Sequence, residues 1–274
     1  MDFEFLIRLS ATTSSWQRRM MMDLGLKGRK ALITGSTKGI GRAIADLLAD
    51  EGANVAICSR HEDEVAAAVG ALAAKGVQAT GRALDVSDGA ALTSWVTEAA
   101  EELGGLDILV ANVSALAIEG TEASWRQGFE VDMMHTVRAV QASMPYLEQS
   151  DAASIVIISS VSGVEIDFAA GPYGVFKAAL INYAKGLSCQ LAAKGIRVNA
   201  VSPGNTYFAG GVWNHIEENM PELFRQALSL NKTGRMATPQ EVATATVFLA
   251  SPIATFITGT NLLVDGALTN RVQY

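Results

Sequence analysis

From residue 30 onward, short apolar runs alternate with longer stretches of helical periodicity, and that alternation limits the chain to very few architectures. The runs at 30–34, 54–58, 77–84, 107–111, 154–159, 196–201 and 261–264 read as strands. The stretches 40–50, 62–75, 90–103, 124–149, 173–194 and 239–250 read as helices, with a Pro- and Gly-rich loop carrying short helices ahead of the last one. Strands separated by helices of ten or more residues are joined by crossovers, and crossovers give parallel pairing. Ile108-Leu109-Val110 and Ile155-Val156-Ile157-Ile158 are apolar at successive rather than alternate positions. A strand that is apolar on both faces belongs in a sheet covered by helices on both sides. The expectation is therefore an α/β, doubly wound parallel sheet. No linker or repeat divides it, which predicts one domain over residues 26–274 and an N-terminal extension over residues 1–25.

Composition removes several function classes. The 274 residues are 49% hydrophobic, enough for one substantial core. Lysine and arginine total 21 against 28 acids, a net charge of −7 with no basic cluster, so a nucleic-acid partner is not expected. Two cysteines without a CxxC pattern fit a reducing compartment, taken as the cytoplasm. His61, His135 and His215 lie far apart, read as unrelated side chains, and predict no metal site. The uncharged stretches 198–216 and 242–264 match a membrane span in length alone. Pro203, Gly204, Gly210 and Gly211 break the first, and Pro252 and Gly259 the second, so both read as buried helix, turn and strand rather than a membrane segment. In the extension, Asp2 and Glu4 precede a short apolar patch, and Arg18 and Arg19 follow it, the reverse order of a secretory signal. Residues before about 23 are expected to be dispensable.

The first strand ends in Thr34 and runs into Gly35-Ser36-Thr37-Lys38-Gly39-Ile40-Gly41, which opens the first helix. Glycines there let the backbone turn and approach a pyrophosphate, while the helix N-terminus offers free N–H groups. The second strand ends in Cys58-Ser59-Arg60 with no acid to take a ribose 2′-hydroxyl. Lys38, Ser59 and Arg60 instead suit a 2′-phosphate, which favours NADP(H) over NAD(H). Tyr173 and Lys177 stand four apart at a helix start and so share a face. A free tyrosine titrates near pH 10, and a neighbouring cation favours the phenolate, so Tyr173 is a candidate general acid and base. Ser160 ends a buried strand thirteen positions earlier and is placed to bind a substrate oxygen beside the phenol.

Together these residues resemble the short-chain dehydrogenase/reductase superfamily over residues 26–267, and within it the 3-oxoacyl-[acyl-carrier-protein] reductases. The resemblance implies a Rossmann-type fold with Ser160, Tyr173 and Lys177 as catalytic residues. It implies that Asp85 and Val86 contact adenine, and that Asn112 is the remnant of the family's Asn-Asn-Ala-Gly motif. Pro203 and Gly204 would border the nicotinamide, and Lys177 would also bind its ribose. Where the family carries a catalytic Asn on its fourth helix, this chain has Val131-Asp132-Met133, which makes Asp132 the fourth catalytic candidate and an electrostatic partner for Lys177. Phe176 replaces the serine that often precedes the Lys, and Thr206 lies earlier than the family's cofactor-contacting Thr.

Val164, Phe168, Tyr207, Phe208 and Trp213 flank the catalytic segments and are expected to line an apolar substrate pocket. The resemblance implies hydride transfer between NADP(H) and a ketone or secondary alcohol. A 3-oxoacyl thioester is the default substrate, and a small cyclic or aromatic ketone or alcohol its competitor. A cofactor-binding regulator without turnover remains the alternative. The resemblance also implies a homo-oligomer, a tetramer. Ala178, Ala179, Ala184 and Gly186 would permit close approach to the helix that starts near Trp125.

Overall fold

A computed structural model describes residues 22–272. Seven strands, β1 (Lys30–Thr34), β2 (Asn54–Ser59), β3 (Ala79–Ala83), β4 (Ile108–Ala111), β5 (Ser154–Ile158), β6 (Arg197–Pro203) and β7 (Asn261–Val264), form one sheet in the order β3-β2-β1-β4-β5-β6-β7. Every neighbouring pair is parallel. The helices are α1 (Gly39–Asp50), α2 (Glu62–Ala73), α3 (Gly89–Glu102), α4 (Glu122–Gly128), α5 (His135–Leu147), α6 (Pro172–Leu191), α7 (Val212–Asn219), α8 (Pro221–Leu230) and α9 (Pro239–Ala250). This is a Rossmann-type, single-domain α/β fold.

Side-chain alternation along the strands divides the core. In β1, Leu32 joins the layer under α3, α5 and α6, while Ala31 and Ile33 join the layer under α1 and α9. Both layers are fully buried along β4 and β5, as runs apolar on both faces require. Each Leu or Ile so enclosed contributes about 1.5–3 kcal/mol relative to exposure. Arg197 enters the core as a cap: its guanidinium donates to the carbonyls of Leu249, Ala250 and Ser251 at the C-terminus of α9.

The strand order reverses direction between β1 and β4, the switch point where open α/β sheets bind ligands. Two expectations need correction. The segment 124–149 is not one helix: a π-turn (Phe129–Met134) separates α4 from α5. A π-turn admits an extra residue per turn, and here it directs Asp132 into the interior, where its Oδ2 accepts from the N–H of Ala115 at 3.0 Å. β3 is also shorter than 77–84, because it is an edge strand with one neighbour and a half-exposed pattern. The extension 1–25 falls outside the described residues up to position 21.

Candidate active site

The C-terminal ends of β1, β4 and β5 and the N-termini of α1 and α6 converge on the switch point. Ser160 follows β5 and starts a short 3₁₀ turn (Val161–Gly163), its Oγ accepting from the Ser162 N–H at 3.2 Å. That turn packs directly on α6. A Cβ on Gly163 would lie 2.7 Å from the Lys177 carbonyl carbon, so only glycine allows the approach. Ser159 completes the clamp by donating to the Lys177 carbonyl at 2.8 Å. The serine turn and the Tyr173–Lys177 helix are thus held as one unit.

Tyr173 lies in the first turn of α6, half-buried, with its N–H bonded to Ala117 O at 3.0 Å. Lys177 is 2% exposed, and its Nζ sits 5.7 Å from the Tyr173 ring centre. Nζ donates to Ile158 O at 3.1 Å and faces Asp132 Oδ1 at 3.2 Å. The second contact is an ion pair without hydrogen-bond geometry, so Asp132, fully buried, presents one oxygen with no hydrogen-bond donor of its own. The structure therefore brings Tyr173, Lys177 and Asp132 together.

His135, read from sequence as an unrelated side chain, is fully buried within this site. Val131 O can only accept, so Nδ1, 2.9 Å away, carries the proton. Nε2 then accepts from the Thr34 hydroxyl at 3.0 Å, and Thr34 Oγ1 accepts from the Asn112 N–H. Burial pushes the ring's pKa down to about 4, so it is neutral at pH 7. The available signal was its position three residues after Asp132, on the same helical face. Asn112 joins the glycine turn as well, donating its side-chain N–H groups to Thr34 O and Gly35 O.

The glycine turn fits a dinucleotide. Gly35 takes φ +67°, and a Cβ on Gly41 would lie 2.1 Å from Gly35 O, so backbone fills the space a side chain would need. Lys38 precedes α1 without a side-chain cap, leaving the helix's first N–H groups for an outside acceptor. Ser36 is buried and donates to Ile33 O, which fixes the strand exit, and Ile40 packs against the core below. Beyond β3, Asp85 accepts from Ser87 N–H and hydroxyl, and these bonds, with the charge of Arg60 adding, hold its carboxyl below the ordinary range. Val86 is buried beside it. At the other end, Pro203 closes β6, Gly204 packs against Asp265, and the Thr206 hydroxyl turns back to Gly204 O.

Around the predicted 2′-phosphate position the structure adds an acid. Lys38 Nζ pairs with Glu64 Oε1 at 2.7 Å, and the Thr37 hydroxyl lies 3.0 Å from both Glu64 Oε2 and Ser59 Oγ. The sequence reading looked for an acid only at the strand end. Glu64 comes from the first turn of α2, one turn further on. Arg60 is exposed.

A cavity of about 390 Å³ opens beside Val161, between the 161–168 loop, α7, α8 and the C-terminal segment. Phe168 and Trp213 line it, edge to face at 5.8 Å. The other three expected lining residues sit elsewhere. Phe208 covers Gly39 and Gly211, Tyr207 bonds Glu217 and packs on Phe224, and the Val164 carbonyl accepts from Arg271. Among the described residues, no group of three or more His, Cys, Asp or Glu could hold a metal ion, and no helix is long and apolar enough to cross a membrane.

Residues 35–269 match the protein family described as enoyl-(acyl carrier protein) reductase. An isoepoxydon dehydrogenase of Penicillium expansum is 39% identical over 263 residues, covering 93% of this chain and all of the relative. An L-sorbose reductase from Gluconobacter frateurii, solved with NADPH and L-sorbose, superposes with a TM-score of 0.85 at 29% identity, over 92% of this chain and 100% of that one. A 7α-hydroxysteroid dehydrogenase solved with NADH and 7-oxo glycochenodeoxycholic acid gives 0.84 at 26%, over 93% and 100%. Fold, motifs and relatives agree: the chain belongs to the short-chain dehydrogenase/reductase superfamily of oxidoreductases.

Proposed function

We propose that the chain is an NADP(H)-dependent oxidoreductase acting on a ketone or secondary alcohol, with Ser160, Tyr173, Lys177 and Asp132 as its catalytic residues. The observation that carries this reading is the buried Lys177–Asp132 pair held beneath the Tyr173 ring and clamped to the Ser160 turn. The nicotinamide, when bound, supplies or takes the hydride. Ser160 and Tyr173 hydrogen-bond the reacting oxygen and orient it. In reduction the Tyr173 hydroxyl gives that oxygen its proton, and in oxidation the phenolate removes the alcohol proton. Lys177 keeps a positive charge beside the ring, with Ile158 O and Asp132 fixing its position.

For the cofactor, the turn Gly35, Ser36, Thr37, Lys38, Gly39, Ile40 and Gly41 would receive the pyrophosphate. Asp85 and Val86 would flank adenine, and Lys38, Ser59 and Arg60 would surround the 2′-phosphate. Asn112, Tyr173, Lys177, Pro203, Gly204 and Thr206 would line the nicotinamide side. NADPH in the L-sorbose reductase favours this assignment, while NADH in the steroid dehydrogenase shows that the fold accepts either.

The substrate we favour is a compact ketone or alcohol, because the cavity is small and walled by Phe168 and Trp213. The relatives named for isoepoxydon and L-sorbose point the same way. A 3-oxoacyl thioester is the competing substrate, supported by the family's description. We also place the enzyme in the cytoplasm as a homotetramer. Ala178 and Gly186 are exposed on α6, as are Trp125 and Phe129 before α5, whereas Ala184 packs into the core and is not available for an interface.

The test is a panel of ketones, alcohols and 3-oxoacyl thioesters followed at the nicotinamide absorbance band with each cofactor. Turnover with NADPH exceeding that with NADH supports the proposal. Cofactor binding with no turnover across the panel would leave the regulator reading instead.

A further inference from the structure

The cavity wall nearest the catalytic serine carries a carboxylate that the reaction itself does not use. Asp167 lines the cavity and is tied to Ser160 through a single side chain. The Ser162 hydroxyl donates to Asp167 Oδ2 at 2.6 Å, and the Ser160 hydroxyl lies 3.3 Å from Ser162 Oγ. Asp167 Oδ1 accepts from the Ala169 N–H at 2.8 Å, which fixes the carboxylate's plane. A carboxylate has about four lone-pair sites over its two oxygens. One on each oxygen is taken, so each can accept once more.

We propose that Asp167 is a substrate-binding residue that accepts a hydrogen bond from a hydroxyl group of the substrate, so that the enzyme takes compact, uncharged hydroxy-ketones and the diols formed from them. This narrows the substrate class of the site proposed above and rests on that reading. Three observations carry it. The carboxylate lies within two hydrogen-bond lengths of the hydroxyl that would hold the reacting oxygen, so both ends of one small ring can be bound at once. Val161, Phe168, Trp213 and Ile216 on the lining offer no acceptor from their side chains, so a substrate hydroxyl set against them needs a polar partner, and among the lining acceptors Asp167 is the one tied through Ser162 to Ser160. The remaining charged groups on the lining are Glu165, whose Oε2 accepts from the Asn270 N–H, and Lys232, which is exposed. A neutral hydroxyl meets Asp167 favourably, whereas a carboxylate-bearing substrate would meet like charge.

The experiment compares cyclohexanone with its ring-hydroxylated isomers as substrates of the intact enzyme and of Asp167→Ala, Asp167→Asn and Ser162→Ala. The readout is the ratio of kcat/KM for the best hydroxylated isomer to that for cyclohexanone. A general loss of catalytic order cancels in this ratio. In the parent enzyme it should be about tenfold or more, the scale of one hydrogen bond to a charged group. Asp167→Ala should bring it close to one. Asp167→Asn, which retains an accepting oxygen, should fall between, and Ser162→Ala should preserve the ratio while lowering kcat for both substrates. A ratio unchanged in Asp167→Ala overturns the proposal. Calorimetry of cyclohexanediols against cyclohexanol on the NADP-loaded enzyme gives the second readout without turnover. No diol preference there, with cyclohexanone still reduced, removes the subsite and leaves the oxidoreductase standing. A diol preference lost in Asp167→Ala, with no ketone reduced, upholds the subsite and removes the oxidoreductase.

Discussion

Lys177 and Lys38 each face a carboxylate, and the shorter contact is the more exposed one. Lys38 Nζ lies 2.7 Å from Glu64, but the two side chains are 64% and 30% exposed. Lys177 Nζ lies 3.2 Å from Asp132, with exposures of 2% and 0%. Water and salt screen the first pair, and its side chains give up freedom to meet. The second pair has no water to fall back on, so each charge depends on the other and on the Ile158 and Ala115 backbone. The contrast follows the division of labour proposed above. The groups that would move protons are held by the backbone of β5 and of the segment after β4, whereas those that would choose between cofactors sit on an exposed surface.

The largest effects should come from breaking the buried side. Tyr173→Phe keeps the ring and its packing, so the fold and cofactor affinity should persist while single-turnover hydride transfer falls by about 10²-fold or more. Near-normal turnover would remove Tyr173 from the mechanism. Lys177→Ala should match that loss, weaken cofactor binding, and also lower stability by about 3–5 kcal/mol in denaturant unfolding, because it leaves Asp132 buried and uncompensated. Asp132→Ala should destabilise on the same scale, orphaning the Ala115 N–H as well as Lys177. Asp132→Asn restores the family's residue and can still accept from Ala115, so turnover should be kept within about threefold or rise. If Asp132→Asn is as inactive as Asp132→Ala, the carboxylate charge is essential here.

A second buried group sharpens the comparison through pH. The His135 ring has a pKa of about 4 in the fold against 6.5 ordinarily, because burial disfavours its charged form. As pH falls through 6.5 the unfolded chain takes up a proton that the folded chain refuses until about 4. The stability present above pH 6.5 is therefore lost across that window, by on the order of 3 kcal/mol, and levels off below it. Melting temperatures of the parent and of His135→Gln, followed between those limits, should diverge, with the variant showing the shallower slope. Parallel slopes would show that other groups govern acid stability.

The sheet was legible in the sequence because strands apolar on both faces and helices of ten or more residues leave few other arrangements. Ser160, Tyr173 and Lys177 were legible because fixed spacing on a strand end and a helix start implies proximity. What escaped was carried by contacts between elements. The π-turn has no local signature: Phe129–Met134 reads as ordinary helix until Ala115 is seen to take Asp132. His135 looked idle because Thr34, its partner, is 101 positions away. Asp167 carries no signal of its own in the sequence, because only the folded 161–168 segment brings it to Ser162. Phe208 was assigned to the substrate side by its neighbours in sequence, yet its ring covers Gly39 on the cofactor side.

The smallest effects belong to the exposed pair, and they decide how cofactor choice is set. Arg60→Ala and Lys38→Ala should each reduce NADPH affinity about tenfold with little change for NADH, since each removes one charged contact to a 2′-phosphate. Glu64→Gln tests the other half of the pair. In the fold Glu64 accepts from Thr37 and from Lys38, the latter one of the groups a 2′-phosphate would need, and the Lys38 bond holds its carboxyl below the ordinary range. It is thus an internal anion competing with the phosphate for the same lysine. The amide keeps the shape and one acceptor but drops the charge, so Lys38 is released and a like-charge neighbour of the phosphate disappears. NADPH should bind about two- to threefold more tightly, the modest scale of an exposed ion pair, and NADH should be unaffected. The gain should shrink as salt is raised, because the competition is between screened surface charges. Fluorescence titration of both reduced cofactors at low and high salt measures this directly. An equal change for the two cofactors would show that Glu64 only shapes the start of α2, and a loss of NADPH affinity would show that it holds Lys38 in place for the phosphate rather than away from it.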